Sequence, residues 1–246
     1  MADRSTSSPA RVEVLGLPLD LVDLKAAVQR LEDFLLTPTL DSVVTLNPEI
    51  TVRAQADPEL KKAIHEASLV TPDGVGMLWA LRTLYGLELK ERVTGIELAE
   101  AFLAKKGGAI RVFFLGARPG VAERAAAHAR ARYGVRVAGT HHGYFKNEEE
   151  AVRAVRRAAP DLLLVALGER QEKFIARHKE RLAARIAIGV GGTLDVWAGV
   201  ARRAPALTRR LGLEWAWRVG LDPRRWRRGL RLLRFVRLVR RAKKIS

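Results

Sequence analysis

The 246-residue chain contains no cysteine. That excludes a disulfide scaffold, thiolate zinc sites and a cysteine nucleophile, and it fits a reducing compartment. No apolar run approaches the roughly 18 to 20 residues needed to span a bilayer. The first ten residues, MADRSTSSPA, carry no apolar stretch of the secretory type. The expected location is therefore cytoplasmic, or peripheral on the inner face of the cell membrane. Three motifs are also missing. Without Gly-x-x-x-x-Gly-Lys-Ser/Thr, P-loop phosphoryl chemistry is not expected. Without Gly-x-Gly-x-x-Gly after the first strand, a standard dinucleotide fold is not expected. No Asp-x-Asp occurs, and no His/carboxylate cluster has metal-ligand spacing, so neither a metal nor another cofactor is expected.

Acidic residues are in short supply, 27 against 44 Lys and Arg, and the formal net charge is +17. The excess is concentrated at one end. From Arg202 to Ser246 there are 14 Arg and 2 Lys against only Glu214 and Asp222. That segment carries +14 and the remainder +3. Such asymmetry points to an anionic partner at that end. The run RRWRRGLRLLRFVRLVRRAKK reads as a helix interrupted only by Gly229. At about 100° per residue, Trp226, Leu230, Leu232, Leu233, Val236 and Val239 fall on one broad arc. Arg227, Arg231, Arg234, Arg237 and Arg241 gather on the other side. A basic amphipathic helix of this kind can lie in an anionic membrane surface. The second reading is a terminal helix packed on the body with a solvated face. The arc is too wide for a helix lying only against phosphates, so nucleic acid is not expected as a partner. Left uncovered in water, the same arc would favour a homo-oligomer.

The rest of the chain, with a 48% hydrophobic content overall, alternates short β-rich runs with helical patterns. Strands are expected at Val12–Leu15, Ser42–Leu46, Ile110–Leu115, Val135–Ala138, Leu162–Leu167 and Arg185–Val190. Helices are expected at Leu21–Leu36, Glu97–Lys105, Val121–Ala131, Glu148–Ala158 and Gln171–Leu182, with Asn147 as a cap ahead of three Glu. This alternation with near-continuous apolar strands means an α/β sheet with buried strands, whose ligands bind beyond the carboxyl ends. The strand ends run into polar or glycine-rich segments: Asn47-Pro48-Glu49, Thr71-Pro72-Asp73-Gly74, Gly116-Ala117-Arg118-Pro119-Gly120, Gly168-Glu169-Arg170-Gln171 and Gly189-Val190-Gly191-Gly192-Thr193-Leu194-Asp195. Glycines there let backbone N–H groups approach phosphates, so a nucleotide-containing ligand is expected.

Taken in order, these segments resemble the WecG/TagA/CpsF family of bacterial glycosyltransferases. The matching stretches are Thr45-Leu46-Asn47-Pro48-Glu49, Thr71-Pro72-Asp73-Gly74-Val75-Gly76-Met77, Arg92-Val93-Thr94-Gly95, Phe114-Leu115-Gly116 with Pro119-Gly120, and Gly143-Tyr144-Phe145. Gln171-Glu172-Lys173, Gly189-Val190-Gly191-Gly192-Thr193, Arg203-Ala204-Pro205, Arg210–Trp215 and Pro223–Trp226 complete the set, over about residues 10 to 235. One loop departs from the family. Leu167-Gly168-Glu169-Arg170-Gln171-Glu172-Lys173-Phe174 is a residue short of the usual Leu-Gly-x-Pro-Lys-Gln-Glu-x-Trp, and it has Phe174 where Trp is usual.

The resemblance implies a Rossmann-like sheet flanked by helices, with a basic C-terminal helical appendage. Residues 1–10 would be a flexible N-terminus, 11–201 the glycosyltransferase body and 202–246 the membrane-associating appendage. The implied reaction moves an N-acetylmannosamine-type sugar from a UDP-sugar donor to a polyprenyl-diphosphate-linked N-acetylglucosamine, in teichoic acid linkage-unit or other cell-surface polysaccharide synthesis. Displacement would be direct, inverting and metal-independent.

Within that resemblance Asp73 is the general base that deprotonates the acceptor hydroxyl; on spacing alone it reads first as a turn residue beside Pro72 and Gly74. Thr45 and Asn47 would hold sugar hydroxyls or the acetamido group, and Asn47-Pro48 also reads as a turn. Arg92 and Gly116 belong to the matching stretches and are expected at the substrate. Gln171 would reach the donor or merely begin a helix. Asp195 would accept from the uridine or cap a helix. Arg218, Arg225 and Arg228 would neutralise the departing UDP, although an arginine in such a tail can simply face solvent or lipid. His141 and His142 read as acid–base candidates or as loop residues. Two other classes stay open on the residues alone: a nucleotide-dependent oxidoreductase, and a basic membrane- or nucleic-acid-binding protein without catalysis.

Overall fold

A computed structural model describes residues 9–205, 208 and 226–244, with the backbone alone at 226–228. The chain begins with an antiparallel hairpin, β1 (Arg11–Glu13) and β2 (Pro18–Asp20). The hairpin turns through Leu15 and Gly16, both with positive φ. Only its first strand is evident from the apolar pattern. Asp20 is buried and takes two hydrogen bonds from Arg11 at 2.7 and 2.8 Å. It also accepts the Val70 amide at 2.7 Å, which pins the hairpin against the sheet.

Six strands make that sheet: β3 (Asp41–Leu46), β4 (Leu69–Pro72), β5 (Arg111–Gly116), β6 (Arg136–His141), β7 (Leu162–Ala166) and β8 (Ile186–Gly189). Their order is β4-β3-β8-β7-β5-β6, and every pair is parallel. Parallel strands need crossovers, and helices supply them on both faces. One face carries α1 (Leu24–Phe34), α5 (Gly95–Lys106), α6 (Val121–Tyr133) and α9 (Thr193–Trp197). The other carries α2 (Pro48–Ala54), α3 (Pro58–His65), α4 (Val75–Tyr85), α7 (Glu148–Ala158) and α8 (Gln171–His178). Successive strand residues feed opposite layers: Val43 and Phe114 point into the first core, Val44 and Phe113 into the second. The architecture is the Rossmann-like α/β sheet expected from the sequence.

Several helices begin where the sequence reads as a turn. Asn47 caps α2 through Oδ1, which accepts the Ile50 amide at 3.0 Å, with Pro48 in the first helical position. Asp57 and Pro58 repeat the device at α3. Asn147 accepts the Glu149 amide at 2.9 Å and caps α7, as expected. Helix α1 starts at Leu24 rather than Leu21, because Asp23 is its cap. Helix α8 stops at His178, and a 3-10 turn continues it to Arg181.

The last helix, α10 (Trp226–Lys243), runs through Gly229 without a break. It lies on α2 and α4, where Phe235 and Val239 are fully buried and Trp79 meets Phe235 edge-on at 6.4 Å. This corrects the expected division of its faces. Leu230 and Leu233 are 51% and 68% exposed, on the same side as Arg234, Arg237 and Arg241. The buried seam runs through Phe235, which lies outside the arc expected from periodicity. Arg231 turns toward the body. Helix α10 thus has a docked apolar seam and an outer face on which leucines stand among arginines.

Removing the buried ring should cost what core truncation usually costs. Phe235→Ala is expected to lower the unfolding free energy by about 3 kcal/mol, and Leu233→Ala, on the outer face, to stay within about 0.5 kcal/mol of the parent. Denaturant titration of both variants checks the docking; equal effects would contradict it.

Candidate active site

The carboxyl ends of five neighbouring strands bring the polar loops together. Leu46 pairs with Pro72 in the β3–β4 register, so Asn47 and Asp73 leave the sheet side by side. Adjacent strands lie about 4.8 Å apart, which sets the scale of their separation. The Asp73 amide donates to the Leu46 carbonyl at 2.8 Å. Gly74, with φ +92°, then turns the chain into α4. Asp73 is half-buried at that turn.

Thr45, buried one step inside the strand end, lies beside Gly95, the first residue of α5. A side chain at Gly95 would press on the Gly189 carbonyl at 3.3 Å and on Thr45 Oγ1 at 3.5 Å. The α5 N-terminus therefore reaches the ends of β3 and β8 together. Its cap is Thr94, whose hydroxyl donates to Glu97 at 2.8 Å. Arg92 precedes this cap, and Val93 ties the segment to β4 through Pro72 and Thr71. The Arg92 guanidinium is 3.8 Å from Glu97, and Arg203 joins the same cluster through Glu97 and Glu100.

On the other side of β8, Gln171 opens α8 and is buried. Its Oε1 accepts the Gly191 amide at 3.1 Å, and its Nε2 donates to Glu172 Oε1 at 2.8 Å. The carboxamide lies so close over Gly189 that a Cβ there would come within 2.7 Å of Nε2. Gln171 is therefore a strut between the ends of β7 and β8, with one further N–H on its amide. Gly116 ends β5 with φ +130°, and a Cβ would meet the Ala166 carbonyl at 2.3 Å, so only glycine fits where β5 and β7 converge. Asp195 lies in the first turn of α9 but does not cap it; the cap position is Gly192. The Asp195 carbonyl accepts from Val200 and Ala201.

Thr45, Asn47, Asp73, Arg92, Gly116, Gln171 and Asp195 thus all stand on the carboxyl edge. Arg218 and Arg225 lie outside the described residues, as does the side chain of Arg228. His141 and His142 hold the loop after β6: His141 Nδ1 bonds the His142 carbonyl at 2.8 Å, and the Tyr144 amide donates to His142 Nδ1 at 3.2 Å. Phe174, in the position where the family has Trp, is core, packed against Phe145 and His178. The shortened loop closes as a 3-10 turn, Gly168–Arg170.

A second cluster beside this edge has no signal in the spacing of the sequence. Arg231 of α10 reaches both Glu49, two residues beyond Asn47, and Glu169, two residues before Gln171. Arg53 of α2 donates to the Glu169 carbonyl at 2.6 Å. Glu172 is a further group that sequence reasoning missed. It is fully enclosed, and its Oε2 has no hydrogen-bond partner among the described residues. Burial pushes its carboxyl well above the usual glutamate range, against a smaller opposing effect of the Gln171 hydrogen bond.

The fold defines the class: a parallel α/β protein, covered by helices on both faces, with the candidate residues gathered at the carboxyl edge of the sheet. The glycosyl transferase WecG/TagA/CpsF family matches residues 12–246, and the chain belongs to that family. An N-acetylglucosaminyldiphosphoundecaprenol N-acetyl-beta-D-mannosaminyltransferase of Bacillus spizizenii is 34% identical over 227 residues, covering 90% of this chain and 88% of the relative. One of the same name from Staphylococcus aureus is 32% identical over 233 residues, covering 93% and 90%. No helix among the described residues is long and apolar enough to cross a membrane.

The raised Glu172 carboxyl has a consequence for stability. Its protonated, folded form contributes fully below the ordinary glutamate pKa, and that contribution is lost as pH rises through the raised value. Glu172→Gln keeps an acceptor for Gln171 Nε2 and removes the titration. Its stability relative to the parent should climb with pH in that window, by up to about 1.4 kcal/mol per pH unit. Unfolding titrations at several pH values test this, and a pH-independent difference would refute it.

Proposed function

We propose that the chain transfers an N-acetylmannosamine-type sugar from a UDP-sugar to N-acetylglucosamine carried on a polyprenyl diphosphate, with Asp73 as general base. The observation that carries this reading is the pairing of Asp73 with Asn47 at adjoining strand ends, in the segments that match the family. The activity for which the two relatives are named supports the acceptor and the sugar. Asp73 removes the proton from the acceptor hydroxyl, and that oxygen attacks the anomeric carbon. The bond to the donor diphosphate breaks, and its electron pair leaves with the UDP oxygen. Attack from the face opposite the leaving group inverts the anomeric centre. Asn47 and Thr45 stand where they can orient sugar substituents, while Gln171 fixes the Gly191 turn.

The acceptor is lipid-anchored, so the enzyme has to work at a surface. The outer face of α10 suits that: Leu230 and Leu233 can enter the interface while Arg234, Arg237, Arg240 and Arg241 meet anionic headgroups. Residues 202–246 would act as the seating appendage, on the inner face of the cell membrane. Arginines of this segment, Arg218, Arg225 and Arg228 among them, would neutralise the leaving diphosphate without a metal.

Transfer of labelled sugar from UDP-N-acetylmannosamine to a prenyl-diphosphate N-acetylglucosamine analogue, in EDTA, tests the reading. The parent should label the lipid product. Asp73→Ala should lose about 10²- to 10⁴-fold in rate while still binding anionic vesicles. A fully active Asp73→Ala, or activity that EDTA abolishes and divalent metal restores, would overturn the base or the metal-free mechanism respectively.

A further inference from the structure

We propose that the groove between α2, the 168–170 turn and α10 is the subsite for the diphosphate of the lipid-linked acceptor, and that Glu169 holds its place until the acceptor arrives. This rests on the reading of the reaction above. The groove has a volume of about 540 Å³ and is walled by five cationic side chains: Arg53, Arg170, Lys173, Arg231 and Arg234. Among the described residues two carboxylates, Asp57 and Glu169, line it with them. Asp57 is committed to Lys173 at 2.9 Å. Two of the other cations, Arg53 and Arg231, meet on Glu169, Arg231 being shared with Glu49, while Arg170 donates to the Gly143 carbonyl at 3.1 Å.

Glu169 lies as a bridging oxyanion would. Oε1 is 2.8 Å from Arg231 Nη1, and Oε2 is 3.6 Å from Arg53 Nε. One oxygen thus faces each guanidinium, one from the body and one from α10. Phosphate oxygens meet paired arginines in the same manner. The carboxylate itself is 54% exposed, so water can solvate it when it is displaced. The Arg53 side chain is only 14% exposed and is fixed by its bond to the Glu169 carbonyl, so this guanidinium stays in place when the carboxylate leaves. A diphosphate brings more charge than the single carboxylate it replaces, and Arg170 and Arg234 stand beside it.

The groove also has a direction. Asn47 and Arg53 are six residues apart on α2, about 9 Å along the helix. Glu169 is two residues from Gln171. One end of the groove therefore adjoins the candidate site, and the acceptor sugar spans the step between them. At the other end stand Leu230 and Arg234, on the outer face of α10. A ligand with a sugar, a diphosphate and a polyprenyl chain in succession can be taken here with its sugar toward Asn47 and Gln171 and its chain toward the outer face of α10.

The test uses the full chain and a fluorescent short-chain prenyl-diphosphate N-acetylglucosamine in detergent, with no donor present, so that binding is read apart from transfer. Arg53→Gln and the exposed Arg234→Gln should each weaken binding by about tenfold. Glu169→Gln should tighten it several-fold, because a competing anion has been removed; a merely structural ion pair would give weakening instead. UDP-sugar binding should be unchanged in all three. The inference is overturned if Arg234→Gln and Glu169→Gln leave acceptor binding unaltered, or if the variants shift UDP-sugar binding equally, which would make the groove a donor site. It also falls if the variants lose only binding to phosphatidylglycerol vesicles, which would make the groove a headgroup site. A parent that binds the acceptor analogue and transfers no sugar would sink the proposed reaction and leave the groove standing.

Discussion

Everything at the candidate site depends on where β8 sits. The last strand of the sheet in chain order is inserted at its centre, hydrogen-bonded to β3 on one side and β7 on the other. Because all pairs are parallel, this aligns the carboxyl ends of β3, β8 and β7, and the Gly189–Gly192 turn emerges between Asn47 and Gln171. Two close approaches hold that arrangement. Gln171 lies over Gly189 from the β7 side, and Gly95 abuts the Gly189 carbonyl from the other layer. The first leaves no room for a β-carbon and the second very little, so the glycines are favoured here by packing before any phosphate is considered. The site is assembled by strand order, and chemistry is added to loops whose positions the sheet has already fixed.

That dependence explains what is legible in the sequence. Strands buried on both faces give apolar runs, and the runs locate β3, β5, β7 and β8 to within a residue or two. Asn147 with its three Glu marks the start of α7 where it occurs. Asn47-Pro48 and Asp57-Pro58 are different, because a cap with proline after it has the same composition as a turn; only the hydrogen bond from Ile50 or Leu60 decides for a helix. The carboxyl-edge residues are legible through their order along the chain, which the family resemblance supplies. The role of Gln171 is not, since its partner Gly191 is 20 residues away.

The shifted seam of α10 has a similar cause. Helical periodicity shows which residues share a face and says nothing about which face docks. With both Leu230 and Phe235 apolar and about 140° apart around the helix, an arc can be drawn through either. The body resolves this, because α2 and α4 offer a hydrophobic seat that Phe235 and Val239 fill. Arg231 then falls toward Glu49 and Glu169, the carboxylates that flank Asn47 and Gln171 in sequence. These long-range pairs are invisible to spacing, since 182 and 62 residues separate the partners.

The consequence is a division of labour within one helix. The seam of α10 takes its energy from apolar burial, which does not depend on salt, whereas its outer face depends on charge, which is screened within about 10 Å in ordinary buffers. Changing ionic strength therefore acts on whatever the charged outer face meets and leaves the apolar seam of α10 largely alone. Arg231 sits between these two regimes, part-buried, with its guanidinium held more firmly protonated by Glu169 and Glu49. Its carboxylate partners stand in the first turn of α2 and in the 3-10 turn after β7, so Arg231 ties α10 to both sides of the β8 turn. A displacement of α10 would therefore reach the segments beside Asn47 and Asp73 through Arg231 and through the Phe235 seam on α2 and α4, rather than through the sheet.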